Sequence, residues 1–199
     1  YIPRSKQVRL EENNIFSDIF KESISNINPE LSSGEIDRLL EDLSLKLKYD
    51  DLGRDFFKQL VNTSGVKLID FDHFENNSFH ITTELTCKNG EEEFRPDITV
   101  LINGMPLGFI EVKKPNNQDG ILAEHKRIQT RFQNKKFRPF VNITQLMVFS
   151  NNMEYDNSSP LPIEGAFYAT TSYYKPIFNY FREEATFDLN QILSEVDDT

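Results

Sequence analysis

The chain has 199 residues, of which 38% are hydrophobic and 27% are charged, which suits one ordinary domain with a small appendage and excludes a disordered chain. A lone Cys87 excludes an internal disulfide and a cysteine-based zinc site, and no apolar run is long enough to span a membrane. The net charge is -10, yet residues 95–140 carry nine Lys/Arg against four Asp/Glu, a local +5, so the acidic average does not exclude a nucleic-acid partner.

The first part of the chain predicts a helical appendage. Apolar residues recur at helical spacing over residues 17–27, where Asn28-Pro29 ends the pattern. Ser32 and Glu35 form a capping box ahead of a second apolar stripe, and a third short helix is predicted at residues 53–61. Nothing in this part carries a catalytic pattern, so its role is expected to be structural.

From residue 66 the apolar period changes to two, which predicts strands. Residues 88–93 are polar and predict a loop. Asn103-Gly104 is a strong hairpin signal, and Pro106 must lie at a bulge or loop edge because it cannot donate a ladder hydrogen bond. The predicted strands of this part are residues 66–71, 79–86, 98–102 and 107–112.

The next segments predict a crossover. Residues 121–134 form an amphipathic helix, with Lys126, Arg127 and Arg131 on its basic side, and residues 145–150 form an apolar strand of the kind buried in parallel sheets. A strand, helix and strand in this order imply a right-handed crossover. A further strand is expected at residues 166–170 and a closing helix at residues 187–196. The predicted fold class is α/β, with a mixed central β-sheet flanked by helices.

Three polar side chains interrupt the apolar hairpin: Asp97, Glu111 and Lys113. Glu111 and Lys113 are two residues apart and share one face of their strand. A two-residue loop pairs Asp97 with Ile110, a four-residue loop with Val112, and a three-residue or bulged loop with Glu111. In each register the two carboxylates lie within one residue of each other, so they can converge on one hard cation.

This arrangement favours metal-dependent phosphodiester hydrolysis. Asp97, Glu111 and the main-chain carbonyl of Val112 are the predicted ligands of Mg²⁺, for which Mn²⁺ can substitute. Lys113 is placed to orient or help deprotonate the attacking water and to stabilise charge developing on phosphorus. A Glu-x-Lys pair alone is common on surface strands, so the hypothesis depends on the hairpin and its apolar flanks.

The chain resembles the nuclease domain of the restriction subunit of type I restriction-modification enzymes, within the PD-(D/E)xK nuclease superfamily. The resemblance implies a restriction-endonuclease-like core over residues 63–185, after an appendage at residues 1–62, with Asp97, Glu111 and Lys113 as the catalytic acid, acid and lysine. Residues 186–199 then form a closing helix or a linker to a motor domain. The resemblance lies in residues 28–31, 66–71, 75–77, 95–115 and 145–155.

The same resemblance implies double-stranded DNA as substrate, methyltransferase and specificity subunits as partners, and ATP only for the motor domain. The family carries a Gln-xxx-Tyr pattern on the helix after the lysine, and this chain departs from it, with Ile128 in the glutamine position and Phe132 in the aromatic one. It also implies that the chain begins just after a helix bearing an acidic residue. The candidate DNA contacts, mainly to phosphate, are Lys114, Lys126, Arg127, Gln129, Arg131, Lys135 and Lys136.

Two alternatives stay open. The chain could be a stand-alone restriction or repair nuclease of the same superfamily, which motor motifs elsewhere in the gene product would exclude. It could also be a docking or DNA-gripping module in which Asp97, Glu111 and Lys113 form only an ion pair, which a metal titration would test. A single unpaired thiol and no visible signal peptide favour a cytoplasmic location.

Overall fold

The computed structural model describes residues 1–89, 91–115, 120–153, 165–169 and 179–180. Over this part of the chain, helices pack against a mixed sheet. No helix among these residues is long and apolar enough to cross a membrane. The elements are α1 (Ser17–Ile27), α2 (Ser33–Lys46), α3 (Arg54–Leu60), β1 (Phe79–Thr83), β2 (Cys87–Asn89), β3 (Glu92–Phe94), β4 (Ile98–Ile102), β5 (Met105–Val112), α4 (Gly120–Gln133), α5 (Arg138–Ile143), β6 (Leu146–Ser150), β7 (Ala166–Ala169) and β8 (Asn179–Tyr180).

The main sheet has six strands in the order β1-β4-β5-β6-β7-β8. β5 and β6 are parallel, whereas the other neighbouring strands of this sheet are antiparallel. Helix α4 lies between the two parallel strands in the chain, as a crossover requires. The predicted fold class, a mixed α/β sheet flanked by helices with a helical appendage, is confirmed.

Helices α1 and α2 begin where their sequence signals predict. The main-chain N–H of Ser32 donates to Glu35 Oε2 at 2.9 Å, which forms the predicted capping box. Both helices bury their apolar faces against the sheet in one cluster, which includes Phe20 and Leu43 from the helices and Met105 from β5. The appendage therefore fixes the turn end of the central hairpin. The domain boundary at residue 62 stays a prediction.

The strand predicted at residues 66–71 is wrong. The segment is buried at Leu68 and Ile69, but asparagine side chains take the place of a neighbouring strand. Asn28 Oδ1 accepts from the N–H of Lys67 at 2.8 Å, and Asn103 Nδ2 donates to the carbonyl of Leu68 at 2.8 Å. Because side chains satisfy these buried backbone groups, the apolar pattern does not need a ladder partner.

Two neighbouring predictions also need correction. β1 ends at Thr83 rather than at residue 86, since Glu84 adopts a left-handed backbone with φ of 49°. Residues 88–93 are not simply a loop, because β2 and β3 form a separate antiparallel hairpin closed by the pair Cys87 and Phe94. Both side chains of that pair are buried with Phe137. These two apolar residues anchor the hairpin, whose polar composition had indicated a loop.

The last part of the chain is described only in pieces. β7 covers Ala166–Ala169 and confirms the strand predicted there, although the predicted end at residue 170 is outside the described residues. The helix predicted at residues 187–196, and the segment 186–199 to which it belongs, also lie outside the described residues.

Candidate active site

The turn between β4 and β5 sets the register of the hairpin. Asn103 and Gly104 have φ values of 51° and 76°, so both adopt the left-handed conformation of a two-residue hairpin turn. Asn103 is fully buried, and its Oδ1 accepts from the N–H of Ser78 at 2.8 Å, so the side chain also ties the turn to the residue before β1. The predicted hairpin is confirmed.

A bulge then shifts the register by one residue. Leu101 pairs with Pro106, whereas Val100 pairs with Gly108, which leaves one extra residue in β5. Pro106 lies beside this bulge, as its missing N–H requires. The shift pairs Ile98 with Ile110, the last pair of this ladder, so Asp97, the residue before β4, lies opposite Glu111 in the same register. Of the three registers open from the sequence, the bulged one is therefore observed.

Asp97 and Glu111 consequently lie side by side at the open end of the hairpin. Asp97 Oδ2 accepts from the N–H of Val112 at 2.7 Å, which holds the first carboxylate against the second strand. Glu111 is 4% exposed. Burial raises the pKa of Glu111 to about 7, and the negative charges of Glu124 and Asp97 add to this rise, against the opposing effects of Lys113 and Arg131.

Lys113 lies on the same side of the strand as Glu111. Its Nζ is 3.6 Å from Glu111 Oε2 and 3.6 Å from Glu124 Oε1, and its side chain is 20% exposed. The main-chain N–H of Lys113 donates to the carbonyl of Ser150 at 2.7 Å, so pairing with β6 continues past the end of β5. The structure thus brings together the three residues predicted from the sequence.

Glu124 is a fourth ionisable residue of this cluster and was not predicted from the sequence. It lies on α4, is 1% exposed, and also forms an ion pair with Arg127. A signal was present, because Ile121 and Ile128 stand three residues before and four residues after it and mark the buried face of the helix. Burying an unpaired carboxylate on that face would cost free energy, and here the carboxylate is paired.

Arg131, predicted on the basic side of the helix with Lys126 and Arg127, is less exposed than those two residues. Its guanidinium lies 4.3 Å from the ring centroid of Phe94, and its Nη1 is buried with no hydrogen-bond partner among the described residues. Burial lowers the pKa of Arg131, and the carboxylates of Glu124 and Glu111 oppose that fall. Arg131 therefore supplies a partly buried positive charge beside the acids.

The other candidate DNA contacts are more exposed. Lys126 and Arg127 are exposed on α4, Lys114 is exposed after β5, and Lys135 and Lys136 are exposed in the 3₁₀ turn Lys135–Phe137. Lys136 Nζ lies 3.4 Å from Glu92 Oε1, so part of this charge is used within the protein. The side chain of Gln129 is outside the described residues.

The donor set fits a hard divalent cation. Asp97, Glu111 and the carbonyl of Val112 offer oxygen atoms, which Mg²⁺ prefers, and the repulsion between adjacent carboxylates is relieved by a cation. Within the described ranges, no group of three His, Cys, Asp or Glu side chains is arranged to hold a metal. Asp97, Glu111 and the main-chain carbonyl of Val112 are the ligands predicted from the sequence, and Glu124 lies close to them, paired with Lys113 and Arg127.

A family described as "Type I restriction enzyme R protein N terminus" matches residues 2–159. The putative type I restriction enzyme MjaIXP endonuclease subunit of Methanocaldococcus jannaschii is 27% identical over 173 residues, covering 73% of this chain and 16% of that relative. The type I restriction enzyme HindI endonuclease subunit of Haemophilus influenzae is 27% identical over 127 residues, covering 55% of this chain and 12% of that relative.

The chain therefore spans about one sixth or less of the length of these two relatives. The family match includes α1 to β6, and with them the hairpin that carries Asp97, Glu111 and Lys113. Because this match extends over far more than half of the chain, the chain belongs to the family of N-terminal regions of type I restriction enzyme R proteins.

Proposed function

We propose that this chain is a Mg²⁺-dependent endonuclease domain that hydrolyses phosphodiester bonds of double-stranded DNA within a type I restriction-modification complex. The observation that carries the proposal is the convergence of Asp97, Glu111 and Lys113 at the open end of the β4–β5 hairpin. A structural ion pair needs only one acid and one base, whereas this cluster places a buried acid beside a second acid.

Each group has a role that follows from its chemistry. Asp97, Glu111 and the Val112 carbonyl would hold Mg²⁺ or Mn²⁺, which polarises the scissile phosphate and promotes ionisation of water when bound. Lys113 carries an ammonium beside Glu111, where it can orient the attacking water and stabilise negative charge on the phosphate oxygens. Lys114, Lys126, Lys135 and Lys136 are exposed cations suited to phosphate contacts that position the duplex.

The family supports a wider assembly. The relatives named above are endonuclease subunits of type I restriction enzymes and are far longer than this chain. We infer that methyltransferase and specificity subunits select the DNA site, that ATP serves a motor domain, and that the complex works in the cytoplasm. This chain then supplies cleavage with little local sequence preference, because its candidate contacts are to phosphate.

The test uses the complete restriction complex with Asp97→Asn, Glu111→Gln or Lys113→Gln in this region. Each variant is expected to lower cleavage of plasmid DNA by more than about 100-fold while DNA binding and ATP hydrolysis persist. Glu41→Gln on the exposed face of α2 is the matched control and is expected to cut normally. Normal cleavage by any one of the three site variants would remove that residue from the active site.

A second function is favoured by one observation. Lys113 lies at equal distances from Glu111 and Glu124, an arrangement that also suits a non-catalytic module held together by ion pairs. Titration of the 199-residue chain with Mn²⁺ separates the two functions. The nuclease proposal expects binding that Asp97→Asn and Glu111→Gln abolish, whereas the docking module expects no binding at these residues.

A further inference from the structure

Glu124 is buried among positive charges and has no role in the proposed reaction as described above. It is 1% exposed, and its Oε1 atom is contacted by both Lys113 Nζ, at 3.6 Å, and Arg127 Nη1. Arg131 adds a third positive charge to its surroundings. A buried carboxylate between a strand lysine and a helix arginine links α4 to the end of β5.

Helix α4 provides a fixed base for this link. Ile121 and Ile128, on the same face as Glu124, are each 1% exposed and belong to a buried cluster with Phe109 of β5 and Met147 of β6. The position of Glu124 relative to β5 is therefore set by apolar packing. Its carboxylate approaches Lys113 from the helix side, whereas Glu111 approaches from the strand.

Lys113 needs such a second contact. The lysine side chain has four rotatable carbon bonds, and its compact ammonium is readily hydrated, so one ion pair holds it loosely. Within the described residues, Glu111 and Glu124 are the two acids within 4 Å of its Nζ. Any cation that shares Glu111 weakens the attraction between Glu111 and Lys113, while the attraction from Glu124 remains.

We propose that Glu124 is a positioning residue that holds the ammonium of Lys113 beside Asp97 and Glu111, including when a divalent cation shares the charge of Glu111. Arg127 balances the charge of Glu124 from the exposed side of α4. Glu124 is not a metal ligand in this scheme. The consequence for cleavage rests on the proposed nuclease function, whereas the restraint of Lys113 does not.

The direct test is NMR of the lysine side chains in the labelled 199-residue chain, with the Lys113 signals identified by their absence in Lys113→Arg. The Lys113 Cε–Nζ group is expected to be restricted in the wild type and in Glu41→Gln. In Glu124→Gln it should become as mobile as exposed lysines, most clearly with saturating Mg²⁺. A Lys113 side chain that stays equally restricted in Glu124→Gln would overturn the proposal.

Two further measurements separate positioning from other roles. Mn²⁺ affinity should change by less than about threefold in Glu124→Gln, and a loss as complete as in Glu111→Gln would make Glu124 a ligand instead. In the complete complex, kcat for cleavage should fall by about 100-fold with KM for DNA unchanged, because the ammonium is misplaced rather than removed. An unchanged kcat would contradict the positioning role.

Glu124→Asp covers the case in which the glutamine variant does not fold. It keeps the negative charge but draws the carboxylate back by one methylene, and an intermediate mobility of Lys113 is expected. Wild-type restraint in that variant counts against the proposal. If the wild-type complex neither binds Mn²⁺ nor cuts DNA, the nuclease function fails, whereas the NMR result still decides the position of Lys113.

Discussion

Because Glu111 is buried, its replacement by glutamine is expected to stabilise the fold. Glutamine has the shape of protonated glutamate and carries no charge, so Glu111→Gln removes the cost of a buried negative charge. We expect the metal-free variant to be more stable than the wild type at pH 8 by a margin that shrinks as the pH falls to 5. Most substitutions of a buried residue destabilise, so the sign of this effect is diagnostic.

The magnitude follows from the pKa of Glu111, which rises from an ordinary 4.5 to about 7 on folding. Below pH 4.5 the group is protonated in both states and contributes nothing; between 4.5 and 7 the unfolded chain releases its proton first, and stability falls. Above pH 7 the full cost applies, about 3 kcal/mol at 1.36 kcal/mol for each pH unit. The side chain of Glu111 is 6% exposed, so solvent screening offsets little of it.

The assay is urea unfolding of the wild type, Glu111→Gln and Glu41→Gln at pH 5 and pH 8 with a chelator present. Glu111→Gln should have a higher free energy of unfolding than the wild type at pH 8. This advantage should be about 2 to 3 kcal/mol larger at pH 8 than at pH 5. Glu41→Gln, a substitution at an exposed residue of α2, is the control. An equal difference at both pH values would refute the buried, raised-pKa state of Glu111.

Three further predictions test the proposed metal site, the hairpin turn and the buried thiol. Mg²⁺ at 100 times its Kd should raise the free energy of unfolding of the wild type by about 2.7 kcal/mol and leave Asp97→Asn unchanged, as measured by urea unfolding at pH 8. Asn103→Ala should lower that free energy by about 3 kcal/mol, because it removes buried hydrogen bonds from a left-handed residue, and Asn103→Gly should cost less since glycine keeps the turn. Cys87 is 3% exposed and burial raises its pKa to about 12, so its thiol should react with an aromatic disulfide at least about 100-fold more slowly in the folded chain than in urea.

The central hairpin was predictable because local chemistry specifies it. Asn103 and Gly104 are residues that tolerate the left-handed backbone, and Pro106 excludes an unbroken ladder. These two constraints leave few registers, and in all of them Asp97 stays close to Glu111. Pro106 indicates either a bulge or a loop edge without deciding between them, so the register, which depends on the bulge next to the Leu101–Pro106 pair, stayed open in the sequence.

Residues 66–71 show the opposite case. Their apolar pattern is that of a strand, but the partners of their backbone are the side chains of Asn28, Asn77 and Asn103, of which Asn28 and Asn103 are distant in the sequence. Apolar periodicity indicates which side chains are buried, but it does not identify the hydrogen-bond partners of the backbone. The missing ladder was therefore not predictable from the apolar pattern.

The residues of the candidate site also differ in how far local sequence predicts them. Asp97, Glu111 and Lys113 could be grouped from the sequence because one hairpin carries all three, so their proximity is a property of local geometry. Glu124 reaches the cluster from the crossover helix, and its contact with Lys113 depends on how α4 packs on β5 and β6. The site residues that could be predicted from the sequence thus lie within one supersecondary unit. The residue that positions the lysine is brought to the site by tertiary packing.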